Sequence, residues 1–501
     1  MSRFNETKKD STKIVNQAGG EAFKMNKRME LASLVGTTFL TDMFYEKADS
    51  RLARLKGLVD EIVKEEDGAM FIAKLASYTR NKLHMRTMPL ILLVELAKIH
   101  NGDNIVRRAT NKVIQRTDEI AEALAYWKHT MGLESLGKKA ISKQLRLGLA
   151  DKFHDFDEYQ FAKYKGNGKS ISLRDAMFLI HPKPLNDEEV GIFNRIANDT
   201  LATPETWETK ISATKGDIQA KAEAWGELID NKKLGYMAMM RNLRNIIDSN
   251  LSNERMKKVA DYLCNETAVM NSKQLPMRYL SAYKALKEHG VETGHICMKA
   301  IEKAMVISAK NIAWFNDTEN TLIACDVSGS MASYLSSHSD LTYMELGLCL
   351  GLTLNERLDF STFGIFGEKW AVVRDIDHAS ILKTAKYLYD KGGDKVGHST
   401  NGYKALAWAT QSNTKFDKIV MFTDCQLYGG SMVKEWNKYK KIVNPEAEMV
   451  LIDLSGYGNT PLKINDTNVF CVSGWSDKIF DALGIIKDSS EMLSYVDAEE
   501  I

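Results

Sequence analysis

The stretch Thr321-Leu-Ile-Ala-Cys-Asp-Val-Ser-Gly-Ser-Met331 decides the fold of the C-terminal third of the chain. Its apolar run, Leu322 to Cys325, is too short for a helix and stops abruptly at Asp326, Ser328 and Ser330, with Gly329 between the two hydroxyls. That pattern reads as a buried strand running into a tight loop. An aspartate and two serines at alternate positions offer oxygen ligands on one side of the turn. Such a set suits a small hard cation such as Mg²⁺, whereas a transition metal would call for His or Cys. A plain strand-to-helix turn with a serine cap fits the same residues.

Working outward, a second apolar run, Lys418-Ile-Val-Met-Phe-Thr-Asp424, also ends in aspartate, and Ser399-Thr400-Asn401 opens an amphipathic stretch from Tyr403 to Gln411. Strand patterns at Thr321 to Cys325, Phe360 to Phe366, Trp370 to Val373, Lys418 to Thr423, Met449 to Leu454 and Val469 to Val472 alternate with helical ones. The helical ones run from Thr342 to Arg357, Ser380 to Tyr389, Tyr403 to Gln411 and Asp477 to Lys487. This alternation predicts an α/β doubly wound sheet with helices on both faces. Its three oxygen-bearing loops would meet at the carboxyl edge, where open α/β sheets place their ligands.

The spacing resembles the metal-ion-dependent adhesion site of von Willebrand factor A domains, whose first loop gives Asp, Ser and Ser, whose second gives Thr and whose third gives Asp. The matching residues are Asp326, Ser328, Ser330, Thr400 and Asp424. The second loop departs from the usual Gly-Gly-Thr, reading Gly397-His398-Ser399-Thr400, so Ser399 and Thr400 both stand as its ligand. The resemblance implies Mg²⁺ or another divalent cation on Ser328, Ser330 and Thr400, with Asp326 and Asp424 nearby or acting through water. One coordination position would stay open for a partner's carboxylate.

A chain of 501 residues is too long for one ordinary core, so two or three domains are expected. Its hydrophobic content of 44% is that of a globular protein. No apolar run reaches the roughly 18 residues of a membrane helix, and the polar N-terminus has no signal-peptide core. A cytoplasmic, reducing compartment is expected, and it would also suit the six cysteines, which form no C-x-x-C pair and sit mostly in apolar runs. They read as small buried residues.

The net charge of +1 hides a division. From Asn316 onward there are 17 Lys+Arg against 26 Asp+Glu, and before it 50 against 40. The basic N-terminal part is therefore the one to meet a polyanion, although the same charge could be a solvated surface.

That part divides into residues 1–20, a polar flexible arm, and residues 21–315, almost wholly helical in pattern; residues 316–501 carry the A-type domain. Leu52, Leu55, Leu58, Val59, Ile62 and Val63 recur at helical spacing after Ala48-Asp49-Ser50, and Phe71, Ile72, Leu75 and Tyr78 repeat the pattern. Segments of about 12 to 18 residues with short turns are expected throughout. Stacked in series they would make an α-helical repeat solenoid, HEAT-like in character, without a strict repeat period. Ile180-His181-Pro182-Lys183-Pro184 is a clear helix breaker.

A cationic cluster follows residue 138. Lys139, Lys143 and Arg146 share a helix face beside Lys138; Lys163, Lys165 and Lys169 bracket a Gly-Asn-Gly loop; Arg174, His181 and Lys183 come next. With Tyr159, Phe161 and Tyr164 interleaved, this suits phosphate contacts plus base stacking. The bland alternative puts the aromatics in the core, the lysines in water and His181 at a helix end.

The runs Gly137-Lys-Lys-Ala-Ile, Phe161-Ala-Lys-Tyr-Lys165, Ser172-Leu-Arg-Asp and His181-Pro-Lys-Pro resemble the central part of the TROVE module of the Ro ribonucleoprotein autoantigens and their bacterial relatives. Met240-Arg-Asn-Leu-Arg244 resembles a second family segment, and Gly474-Trp-Ser-Asp-Lys478 to Ile485 the family's C-terminal end. The resemblance implies a ring of helical repeats followed by the A domain. Single-stranded RNA ends would pass through its basic hole, and small structured Y RNAs would bind its outer face. By position Lys163 and His181 match family residues that face RNA, and Lys165, Arg174 and Arg241 extend the set. The loop between Lys165 and Ser172 is about one residue longer than the family pattern.

Three functional readings follow. In the first the protein is a monomeric, non-enzymatic RNA-binding protein of small noncoding RNA ribonucleoproteins. It holds Y-like RNA and the loose ends of misfolded RNA, and its metal-dependent A domain takes a protein partner, an exoribonuclease among the candidates. The second is a metal-dependent phosphodiesterase using Asp326 and Asp424, which offers too few carboxylates for two-metal hydrolysis. The third is a protein-interaction scaffold without RNA.

Overall fold

A computed structural model of the chain describes residues 12–37, 43, 45–165, 170–274, 276–289, 294–312, 318–336, 339–464, 468–475, 478–486 and 491–501. The chain forms two compact units. One joins residues 1–51 to residues 211–493, and the other joins residues 52–210 to residues 494–501.

The strands, in chain order, are β1 (Lys13–Val15), β2 (Glu21–Lys24), β3 (Thr321–Asp326), β4 (Ser361–Phe366), β5 (Trp370–Val372), β6 (Lys418–Thr423), β7 (Glu448–Asp453), β8 (Asn459–Thr460) and β9 (Val469–Ser473). Six of them form a sheet in the order β5-β4-β3-β6-β7-β9. All neighbours in it are parallel except the edge pair β4 and β5. Every residue of β3 and β6 is buried, as expected of central strands covered on both faces. The chain leaves β3 for β4 on one side and returns to β6 on the other, so a topological switch point lies between β3 and β6. Asp326 ends the first of these strands and Asp424 follows the second.

The helix Tyr343–Arg357 packs on the sheet so closely that Gly351 has no room for a side chain. A Cβ there would stand 2.5 Å from Cys325 Sγ and 3.1 Å from Phe363 Cε2. The next helix, Ile381–Val396, outruns the expected end at Tyr389. Gly392 and Gly393 look like breakers in sequence but serve close packing: a Cβ on Gly392 would lie 3.2 Å from Ile365 Cδ1, and one on Gly393 would lie 2.2 Å from the His398 ring.

The arm expected over residues 1–20 is corrected from Thr12 onward. β1 pairs with β2, and β2 continues onto β8 through Phe23 opposite Thr460 and Lys24 opposite Asn459. Its polarity misled because hydrogen bonds, from the β1–β2 ladder and from side chains such as Asn16, hold it rather than an apolar face. The C-terminal edge of the A-type domain also moves inward. Residues 494–501 pack in the other unit, where the Tyr495 ring meets Tyr78 at 4.8 Å and Ser77 Oγ donates to Glu499 at 3.0 Å.

That other unit is a helical array. Gly68–Asn81 packs on Thr87–Ile99 and Ile105–Val113, and the last of these on Lys143–Lys152, where Gly148 lets the helices touch at Thr110. A buried polar knot joins its turns: Arg80 Nη2 donates to Glu119 at 2.7 Å and Arg86 Nε to the same carboxylate at 3.1 Å. Helices in the middle of the chain are shorter than the expected 12 to 18 residues. Glu158–Lys163, Trp207–Ser212, Tyr236–Arg241 and Leu243–Asp248 have six each. Capping explains the first: Asp157 Oδ1 accepts from Gln160 N, and Gln160 bonds back to Asp157 N. As the prolines predict, the helix Leu173–Ile180 ends at His181, which is left-handed with φ of 53°.

The six cysteines are free thiols, five of them buried and Cys264 half-buried. Among the described residues no helix is long and apolar enough to cross a membrane.

Gly351→Ala should destabilise the unit that holds the sheet by about 1–3 kcal/mol, the usual cost of overpacking a close contact, in denaturant unfolding followed by circular dichroism. A midpoint equal to wild type would mean the helix and β3 have slack that their packing does not show.

Candidate cation site and nucleic-acid interface

The three loops expected to converge do so at the carboxyl edge between β3 and β6. Asp326 is 1% exposed and Asp424 2%, and Ser328, Ser330 and Thr400 are buried beside them. Asp326 Oδ1 accepts from Ser328 N at 2.9 Å, and its Oδ2 accepts from Thr423 Oγ1 at 2.7 Å. The Ser328 and Ser330 hydroxyls are 3.4 Å apart, and Ser330 reaches on to Asp424. Asp424 Oδ1 accepts from Gln426 N at 2.9 Å, while Thr400 Oγ1 donates to Gln426 O at 3.0 Å. Gly329 N donates to His398 O at 3.0 Å, tying the first loop to the second.

Of the two second-loop candidates, Thr400 turns inward to the third loop, whereas the half-buried Ser399 donates its hydroxyl to Tyr428 Oη at 2.7 Å.

The electrostatics are those of a site short of positive charge. Burial, and then the Asp424 carboxylate, push the Asp326 pKa up. Burial also raises Asp424; the Ser330 hydroxyl and the Gln426 N–H offset part of the rise, and Asp453 adds to it. Two facing carboxylates in a dry pocket disfavour their own ionised forms unless a cation joins them. Among the described residues no cluster of three His, Cys, Asp or Glu side chains could hold a metal. A cation here would therefore rely on the hydroxyls of Ser328, Ser330 and Thr400, an all-oxygen set that fits a hard ion.

Sequence reasoning passed over Asp453 and Gln426. Asp453 closes β7 as Asp326 closes β3, and this repeated strand-then-aspartate ending was a usable signal. It is fully buried, with Oδ1 accepting from Ser455 N and Gly456 N at 2.9 Å each and Oδ2 from Ser33 Oγ at 2.6 Å.

The cationic residues fall into two groups. Lys163, Lys165, Arg174 and His181 lie in the helical unit, and Arg241 lies in the other. Lys163 ends the helix Glu158–Lys163, with its Nζ 5.8 Å from the Tyr159 ring centroid and 5.6 Å from that of Tyr164. Among the described residues no carboxylate pairs with it. Lys165 differs: its Nζ donates to Leu201 O at 2.7 Å and lies 3.8 Å from Asp199, so much of its donor capacity is spent inside the protein. Its carbonyl accepts from Leu173 N at 3.2 Å, which sets the start of the next helix. Arg174 is exposed over Phe178, itself 48% exposed, and His181 is exposed at the far end of that helix.

Of the interleaved aromatics, Tyr159 is 47% exposed and available. Phe161 is a correction: it is fully buried against Phe153 and Phe156, as part of the core. Tyr164 carries the Arg116 guanidinium at 4.1 Å, a contact no sequence spacing announced. Lys163, Tyr164 and Lys165 line an open cavity of about 440 Å³ with Thr203, Pro204 and Thr209. Lys169 and its Gly-Asn-Gly loop lie outside the described residues, as does the side chain of Lys139. Arg241 is exposed beside Arg278, whose guanidinium is pushed below its ordinary pKa by burial and by the Arg241 charge.

Residues 7–199 and 199–311 match the TROVE domain family, and residues 320–486 match the Ro60 vWA domain family. Telomerase protein component 1 of Mus musculus is 26% identical over 295 residues, which is 43% of this chain and 11% of that protein. The Rattus norvegicus protein of the same name is 24% identical over 293 residues, with the same two coverages. The chain thus spans about a tenth of the length of these curated relatives. The crystal structure of the Deinococcus radiodurans Ro (RSR) protein superposes with a TM-score of 0.61 at 17% identity, covering 91% of this chain and 99% of that one. On the two domain matches, which together take in most of the sequence in the expected order, the chain belongs to the Ro ribonucleoprotein family, a family of RNA-binding proteins.

Proposed function

We propose that the protein binds small noncoding RNA, of the Y-like kind, and the single-stranded ends of misfolded RNA, and acts as a binding protein rather than an enzyme. One observation carries this reading. Around the helices Glu158–Lys163 and Leu173–Ile180, cations stand over open aromatic faces: Lys163, which pairs with no carboxylate among the described residues, by Tyr159, and the exposed Arg174 by Phe178. Lysine and arginine neutralise phosphates without reading sequence, and an exposed ring gives any base a surface to stack on. Selection would then rest on RNA shape and on the availability of an unpaired end. Lys165 keeps a supporting role, since its ammonium already bonds Leu201 O.

For the A-type domain we assign Mg²⁺ or another divalent cation to Ser328, Ser330 and Thr400, with Asp326 and Asp424 supplying the charge. The bound ion would present an electrophilic position to a partner's carboxylate. The chain's own part is to bury two carboxylates behind three hydroxyls and keep them there through Thr423 and Gln426.

Two outcomes follow. Reversing charge at Lys163 and His181 together, as Lys163→Glu with His181→Glu, should weaken binding of an RNA hairpin with a 3′ single-stranded tail at least about tenfold near physiological salt. The slope of log affinity against log salt should become shallower by about one, as lost phosphate contacts require. Unchanged affinity and slope in a filter or fluorescence assay would remove these residues from the interface. In the other unit, Asp326→Ala should abolish calorimetric Mg²⁺ binding while leaving the circular dichroism spectrum intact. Retained Mg²⁺ binding would place the ion elsewhere.

A further inference from the structure

The cation site is built from residues after 320, yet the β1–β2 hairpin, Tyr45 and Arg51 belong to the same compact unit and reach toward it. The β1–β2 hairpin lies against the third loop. Asn16 Nδ2 donates to Leu427 O at 2.8 Å, and Gln17 N donates to Gln426 Oε1 at 3.0 Å. Gln426 Nε2 in turn donates to Asn459 Oδ1 at 3.2 Å, and Asn459 Nδ2 to Gln17 Oε1 at 3.3 Å. Gln426 is fully buried and Asn459 3% exposed, while Gln17 closes the circuit from the exposed side; Asn16 beside it is 5% exposed. The approach is so close that a Cβ on Gly20 would stand 1.9 Å from Leu427 O.

Gln426 is the residue whose backbone holds both Asp424 and Thr400, through its N–H and its carbonyl. A hairpin that fixes the Gln426 side chain therefore fixes two of the five proposed ligands.

The same segment returns to the site at Tyr45. Its N–H donates to Tyr457 Oη at 3.3 Å, and the two rings meet edge to face at 5.6 Å. Its phenol is within hydrogen-bonding reach of the Ser330 hydroxyl, which also serves Asp424. A few residues on, Arg51 anchors the segment, fully buried, with two guanidinium nitrogens each 3.1 Å from Ser455 O.

We infer that the β1–β2 hairpin and Tyr45 are part of the cation site: the hairpin clamps its third loop through Gln17 and Gln426, and Tyr45 covers its mouth at Ser330, in the place an incoming carboxylate must take. The inference rests on the cation reading of Asp326, Ser328, Ser330, Thr400 and Asp424. Its consequences are two. Metal binding and hairpin docking stabilise each other, because both need the third loop in one conformation. Carboxylate binding displaces the Tyr45 hydroxyl, so the site engages partners more weakly than an uncovered one would.

The test uses the full-length protein with Mn²⁺ as metal and acetate as carboxylate, followed by calorimetry and by water-proton relaxation of the Mn²⁺-loaded protein. Asn16→Ala should weaken Mn²⁺ binding severalfold. Tyr45→Phe, which keeps the ring and its packing on Tyr457, should leave Mn²⁺ binding no weaker and tighten acetate binding by about fivefold, the weight of one hydrogen bond. Mn²⁺ and acetate affinities equal to wild type in both variants would overturn the clamp while leaving the cation site standing. Weaker Mn²⁺ binding by Tyr45→Phe would also overturn it, since a cover is not a ligand. Failure of wild type and both variants to bind Mn²⁺ would sink the cation reading, and the clamp with it. Binding by Tyr45→Phe alone would support a cover tight enough to exclude the ion.

Discussion

Two carboxylates brought together in the dry edge of a parallel sheet are the constraint on which the A-type domain depends. The strand order places β3 and β6 side by side with their connections departing to opposite sides, and this opens the crevice that receives Asp326 and Asp424. Left to themselves the two groups resist ionisation, because burial and mutual repulsion act in the same direction. Everything around them tempers that cost. Thr423, the Ser328 N–H, the Gln426 N–H and the Ser330 hydroxyl all donate to them, and the hydroxyls leave an oxygen-only face for a hard cation. The hairpin from the far end of the chain then holds the loop that carries Asp424.

The helical unit answers a different physical demand. Its core is ordinary, with Phe153 packed against both Phe161 and Phe193 and the Arg80–Glu119 pair satisfied within it. Its surface is less ordinary. The Lys163 and Arg174 cations stand over exposed rings, an arrangement that leaves both charge and π-face for a ligand. The division of charge along the sequence, basic before Asn316 and acidic after it, fits a chain that assigns polyanion and cation to different parts.

Much of this was legible in the sequence, for identifiable reasons. Asp326, Ser328, Ser330 and Asp424 could be picked out as candidates because they end or follow short, largely apolar strands, and strand endings are local signals; Thr400, between two helices, was marked only by the oxygen-bearing Ser399-Thr400-Asn401 run. The helical character of the N-terminal part followed from periodicity, and the break at His181 from its prolines. What escaped depends on partners remote in sequence. The helix expected to end at Tyr389 runs on to Val396, where Gly392 and Gly393 pack against Ile365 and His398 from other segments. Phe161 could not be told from its neighbours Tyr159 and Tyr164, because burial is decided by Phe153 and Phe156 on other segments. Lys165 announced a cation but not the Leu201 carbonyl that takes it. Tyr45 and Gln17 carried no signal at all, since nothing near them in sequence speaks of a site built after residue 320.

The most direct measurement of the central claim is to isolate the protein from its own host at moderate salt and sequence any nucleic acid that comes with it. Small structured RNAs, or fragments with single-stranded ends, should be released as salt is raised. Protein that emerges free of RNA, and that also fails to bind a hairpin with a 3′ tail at low salt, would contradict it.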